Sequence, residues 1–90
     1  MSGVRYVPSR QTMSTRVGGE IVLIHLGTDK IYVLNRTGAR VWELLAAACD
    51  RSEIEARLLR EFDVPPDALC TELDALLASL VDSELLRPAP

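Results

Sequence analysis

Two periods of hydrophobicity divide the chain. Up to about residue 35 the apolar positions fit strands, and from there on they recur at helical spacing. Thr12 to Val17 is β-prone, with Thr12, Thr15 and Val17. Gly18-Gly19 reads as a two-residue hairpin turn. Glu20 to Leu26 is the strongest strand, Gly27-Thr28-Asp29 the next turn, and Lys30 to Leu34 the third strand. Two short turns in succession imply an antiparallel meander. The middle strand is apolar on both sides: Ile21, Leu23 and His25 point one way, Val22, Ile24 and Leu26 the other. Both faces should therefore be covered. Helices can cover one; the other calls for the N-terminal arm, a loop or a partner. Residues 1–11 show no period and read as an arm, ordered only where Val4, Tyr6 or Val7 find apolar contacts.

Three helical patterns follow. The first spans about Thr37 to Ala48, with Thr37 as its cap. Val41, Leu45 and Ala48 form one stripe, and Trp42 is expected as a core anchor against the sheet. The second opens at Asp50, where Asp50-x-x-Glu53 has the form of a capping box, and buries Ile54, Leu58 and Phe62. Pro65-Pro66 ends it, because proline lacks the amide donor and restricts the residue before it. Pro66 then suits the first turn of a helix reaching about Ser83. On that helix Leu69, Leu73, Leu76 and Leu80 seat it on the core. A second row, Cys70, Asp74, Leu77 and Val81, makes the apolar surface wider than one core contact needs, as a groove wall would be. The expected architecture is α+β: a winged helix-turn-helix with a three-stranded antiparallel sheet followed by three helices. The domain is expected over residues 12–87, with a tail at 88–90.

Ninety residues, 48% of them hydrophobic, suffice for one small core. No apolar run approaches the roughly 20 residues of a membrane helix, and the N-terminus does not read as a signal peptide. These features point to the cytoplasm and to no membrane partner. Cys49 and Cys70 lack any metal-ligand spacing and read as small buried apolar side chains. His25 is the lone histidine, so neither a metal nor a cofactor is expected. Net charge is −3, but residues 1–40 carry +4 and residues 41–90 carry −7. An acidic helical half opposes nucleic acid, which draws most nonspecific affinity from cation–phosphate contacts. It favours a cationic partner.

Catalysis needs convergent reactive groups, and the sequence supplies none. There is no glycine-rich loop before a helix and no nucleophile elbow. Glu53/Glu55 and Glu72/Asp74 are two residues apart and point to different helix faces, Glu43 stands alone on its helix, and Ser52 and Ser79 have no base beside them in sequence. The chain is expected not to be an enzyme.

From about Thr12 to Leu86 the sequence resembles the PqqD family. The resembling residues are Val17-Gly18-Gly19-Glu20-x-Val22-Leu23, then Tyr32-x-Leu34-Asn35-x-Thr37-Gly38-Ala39-x-Val41-Trp42, then Leu73-x-x-Leu76-Leu77-x-x-Leu80 followed by Leu85-Leu86. The resemblance implies a RiPP recognition element, which binds the leader of a ribosomally made precursor peptide. In that family the leader adds as a strand beside the third strand, in a groove closed by the third helix. Carried to this chain, Lys30, Ile31, Tyr32, Val33 and Leu34 would offer backbone pairing. Cys70, Leu73, Asp74, Leu77 and Val81 would line the facing wall, with Asp74 placed to pair with a Lys or Arg of the leader. The implied partners are a precursor peptide and a leader peptidase or other modifying enzyme. A standalone lasso-peptide recognition protein is the favoured pathway, and a peptide chaperone of pyrroloquinoline quinone synthesis is the alternative. A DNA-binding winged helix and an allosteric activator of a partner enzyme are the competing readings.

Overall fold

The computed structural model describes residues 5–88. Its order is β1 (Tyr6–Pro8), β2 (Thr12–Val17), β3 (Glu20–His25), β4 (Lys30–Leu34), α1 (Arg36–Ala46), α2 (Arg51–Glu61), α3 (Pro66–Asp82) and β5 (Leu86–Pro88). Strands β2, β3 and β4 form an antiparallel sheet in that spatial order, and three helices follow it. The α+β class and the limits of β2 and β4 therefore stand as expected, while β3 ends one residue early, at His25 rather than Leu26.

Gly18 supports the β2–β3 turn with φ of +63°, a region costly for other residues. The registers Val17↔Glu20 and Thr15↔Val22 follow from that two-residue turn, and the turn between His25 and Lys30 sets Ile21↔Leu34 and Leu23↔Tyr32 on the other side. The inner face of the sheet supplies Ile21, Leu23 and Leu34 to the core. Helix α1 adds Val41, Trp42, Leu44 and Leu45, α2 adds Ile54 and Leu58, and α3 adds Leu69, Leu73, Leu77 and Leu80. Trp42 is buried, as a helix-one anchor should be. His25 is buried too, and its Nδ1 accepts the amides of Gly27 and Thr28, holding the β3–β4 turn.

The terminal segments differ from expectation. Tyr6–Pro8 pairs with Leu86–Pro88 as a separate two-stranded antiparallel ribbon. The ribbon is fastened further by the Ser9 amide and the Thr12 hydroxyl, which both donate to the Leu85 carbonyl. The arm thus pairs with Leu86 and Arg87 at the end of the expected domain and with Pro88 of the expected tail. The expected contact of Val4 and the end of the tail at Ala89-Pro90 lie outside the described residues.

Helix limits also shift. Asn35, not Thr37, caps α1: its Oδ1 accepts the Gly38 amide at 2.9 Å. Asparagine accepts at that position better than threonine. The helix ends at Ala46 through a left-handed Ala48, with φ of 66°. The Cys49 amide donates to Leu44 and the Ala48 amide to Leu45, which closes a Schellman motif without its usual glycine. The capping box of Asp50 and Glu53 is present as read, and Phe62 is half-buried at the C-cap of α2. The cysteines are free and half-buried rather than fully buried.

No described residue of the arm covers the outer face of the sheet. Val22 and Ile24 are half-buried on it, while Met13, Val17, Ile31 and Val33 are 54–65% exposed.

Candidate functional site

The backbone of β4 is the first component. In an antiparallel ladder the hydrogen-bonding direction alternates from residue to residue. The Gly18-Gly19 turn sets Val17 and Glu20 as a bonded pair, so Glu20, Val22 and Ile24 turn their backbone groups toward β2. The Leu26 amide continues that set by donating to the Gln11 carbonyl, and the His25 carbonyl faces the other way, accepting from Asp29. Ile21 and Leu23 therefore bond to Leu34 and Tyr32. It follows that the amides and carbonyls of Ile31 and Val33 point away from the sheet. β4 is a sheet edge, and no described residue bonds to those groups.

A cleft of about 290 Å³ opens beside this edge. Val33 and Leu34 form one wall, Asn35, Thr37, Gly38 and Val41 the end and floor, and Leu58, Leu69, Glu72, Leu73 and Leu76 the rest. The Leu34-Asn35-x-Thr37-Gly38 run builds it directly. Leu34 ends the strand, Asn35 starts the helix, and Gly38 lets the first turn lie against Leu34. A Cβ on Gly38 would stand 3.3 Å from that of Leu34 and 3.4 Å from Asn35 Oδ1, tighter than most packed contacts. The floor is aliphatic, and among the described residues that line the cleft Glu72 alone is ionisable.

The structure brings together only part of the expected site. Val33, Leu34 and Leu73 line the cleft. Lys30 and Tyr32 share its strand but turn their backbone toward β3, with side chains on the inner face beside His25 and Leu23. Cys70, Asp74, Leu77 and Val81 do not face β4. Asp74, Leu77 and Val81 line a second hollow with Tyr6, Arg51 and Pro88, on the side of α3 turned to α2 and the terminal ribbon. Arg51 explains that orientation. Its guanidinium reaches the Cys70 carbonyl at 3.4 Å and Sγ at 3.5 Å, and pairs with Asp74 at 2.5 Å. These contacts hold its pKa above the ordinary value, the Cys70 hydrogen bond first, against the opposing cost of burial. Asp74 thus has a partner within the chain. Leu77 is 3% exposed and belongs to the core.

Leu69, Leu73 and Leu80 are buried as expected, but it is this row, with Leu76 and Glu72, that borders the cleft, while Leu77 of the second row is buried in the core. A helix packed against α2 and the terminal ribbon buries part of each row, and sequence spacing does not say which row meets which neighbour. Sequence reasoning missed Asn35, Thr37, Gly38, Val41, Leu58, Leu69, Glu72 and Leu76 as cleft residues. One signal was available: Glu72 interrupts the stripe Leu69, Leu73, Leu76 at i+3 from Leu69, so a charge sits within an otherwise apolar face.

A third hollow lies near the β2–β3 turn, lined by Arg16, Arg36, Arg40, Glu43 and Glu61 among others. Arg40 binds Glu61 through Nε and Nη2 at 2.8 and 2.9 Å and Glu43 at 3.1 Å, and Arg16 also pairs with Glu43. This network joins β2, α1 and α2. The Arg40 hydrogen bonds hold the Glu61 carboxyl below its ordinary 4.5.

An open sheet edge with an aliphatic cleft beside it, on a winged-helix α+β domain, is a geometry on which an extended segment can add as a strand. The family model for coenzyme PQQ synthesis protein D (PqqD) matches residues 20–86, well over half the chain, and the chain belongs to that family as a PqqD-like RiPP recognition element. A solved chain described as TbiB1 in complex with the TbiA(beta) leader peptide superposes with a TM-score of 0.86 at 30% identity. The match covers 90% of this chain and 94% of that one. A chain described as lasso peptide synthetase B1 complexed with the leader peptide superposes with a TM-score of 0.84, covering 93% of this chain and 99% of that one. At 18% identity it speaks for the fold. No curated protein matches the sequence.

Proposed function

We propose that this chain is a non-catalytic recognition protein that binds the leader region of a ribosomally synthesised precursor peptide by strand addition to β4. It then delivers that precursor to a processing enzyme, a lasso-peptide leader peptidase in first place. The observation that carries the reading is the open edge at Ile31 and Val33 lying beside the aliphatic cleft. Backbone bonds to that edge supply affinity with little demand on sequence, and the cleft supplies side-chain choice. Two similar chains are described in complex with leader peptides, which favours the same class of ligand here. Of the expected residues, Ile31 and Val33 make the backbone bonds, and Leu34 and Leu73 line the pocket.

Delivery draws support from the outer face of the sheet. Met13, Ile31 and Val33 there stay open to solvent and would be continuous with a strand added at β4. The test is titration of the chain with a labelled leader peptide of its precursor, followed by fluorescence anisotropy. Saturable binding that survives moderate salt is expected. Binding only to duplex DNA, lost steeply as salt rises, would replace this reading with the nucleic-acid one.

A further inference from the structure

We propose that Glu72 sets the charge preference of the cleft, so that the strand received beside β4 carries a lysine or arginine directed at this carboxylate. The inference rests on the strand-addition reading and adds the chemistry of one side chain to it.

The sheet geometry decides which side chains enter. A strand bonded to Ile31 and Val33 places the residues opposite them on the outer face, and the intervening residues point toward α3. Those inward side chains meet Leu69, Leu73 and Leu76 with Glu72 set among them. The acidic groups elsewhere on the helices are largely engaged. Asp50 and Glu53 form the capping box, Glu43 and Glu61 hold Arg40, and Glu55 and Asp74 hold Arg51. Glu72 has no hydrogen bond or ion pair to any described residue, and it is exposed at the cleft. An aliphatic wall ending in a free carboxylate fits a long alkyl side chain with a cationic tip. It also penalises an acidic residue at that position, which is how a cleft rejects wrong partners. The −7 charge of residues 41–90 acts in the same direction.

The test selects binders from a displayed library of random ten-residue peptides on three proteins: the parent, Glu72→Gln and Glu72→Lys. Glu72 is a surface position on a helix, and thermal melts confirm that all three are folded. The parent should enrich Lys or Arg at one position, two residues from an apolar one. Glu72→Gln should keep the apolar preference and lose the basic one, and Glu72→Lys should enrich Asp or Glu instead. For a selected lysine peptide, affinity should fall about three- to tenfold from the parent to Glu72→Lys, as for partly exposed charge pairs. Equal charge preference on the parent and Glu72→Gln would overturn the proposal. N-methylation of the selected peptides at successive residues separates the two claims. Loss of binding at alternate residues upholds strand addition whatever the charge preference, and no alternation, or no binders at all, overturns both.

Discussion

A pair of proline substitutions at adjacent residues tests the direction of the β4 backbone. The Val33 amide points to solvent, while the Tyr32 amide bonds toward Leu23. Proline removes the amide donor in either place, and it is tolerated in a sheet only where that donor faces outward. Val33 is 61% exposed, so Val33→Pro removes little burial and no ladder bond. Its stability should lie within about 1 kcal/mol of the parent, the cost of adjusting φ in an edge strand. Leader binding should suffer more. One intermolecular bond of about 1 kcal/mol is lost, and a peptide carbonyl left unpaired adds about 1–3 kcal/mol. Together this is roughly 30-fold or more in Kd. Tyr32→Pro instead orphans the Leu23 carbonyl, in a residue with no exposure. It should cost about 3 kcal/mol or more, a fall of roughly 12–24 °C in Tm for a domain of this size. Circular dichroism melts and anisotropy titrations read both effects. Equal destabilisation by the two prolines, or unchanged leader affinity in Val33→Pro, would refute the assigned edge.

Three further outcomes follow from other parts of the structure. Leu77→Ala should destabilise by about 2–5 kcal/mol as a core truncation, yet leave leader affinity of the folded protein within about twofold, measured below its melting range; a selective loss of binding would return Leu77 to the groove. Ala48→Gly should stabilise by about 0.5–1 kcal/mol in denaturant titration, because it relieves the left-handed backbone at φ of 66°, and destabilisation would contradict the Schellman geometry. Because the folded Glu61 carboxyl lies below its ordinary 4.5, its stabilising pair with Arg40 is fully present above that value and is lost as pH falls through the folded pKa. The Tm difference between the parent and Glu61→Gln should therefore shrink on acidification below about pH 4.5, and a constant difference would show that the pair contributes nothing through ionisation.

The sheet and the helices were legible because their signals are local. Gly18-Gly19 fixes a register, Asp50-x-x-Glu53 fixes a helix start, and Pro65-Pro66 fixes a break. The ribbon of Tyr6–Pro8 with Leu86–Pro88 was illegible, since its partners are some 80 residues apart and each strand is three residues long. The end of α1 at Ala46 was hidden for another reason: the left-handed position carries alanine where glycine would have announced it. The open strand of the candidate site could be read, because it is the last of a meander. Its facing wall could not. Arg51, the first residue of α2, draws Cys70 and Asp74 to its own side of α3 and leaves Leu69, Glu72, Leu73 and Leu76 toward the cleft. That choice depends on a contact between two helices, which no spacing within α3 encodes.

Hydrogen exchange at individual backbone amides is the most direct measurement of how this protein holds a peptide. With the leader of its precursor added at saturation, the amides of Ile31 and Val33 should pass from rapid exchange to strong protection, while that of Tyr32, already bonded within the sheet, changes little. Unaltered exchange at Ile31 and Val33, with new protection gathered around Tyr6, Arg51 and Val81 instead, would place the peptide on the opposite side of the third helix and contradict strand addition.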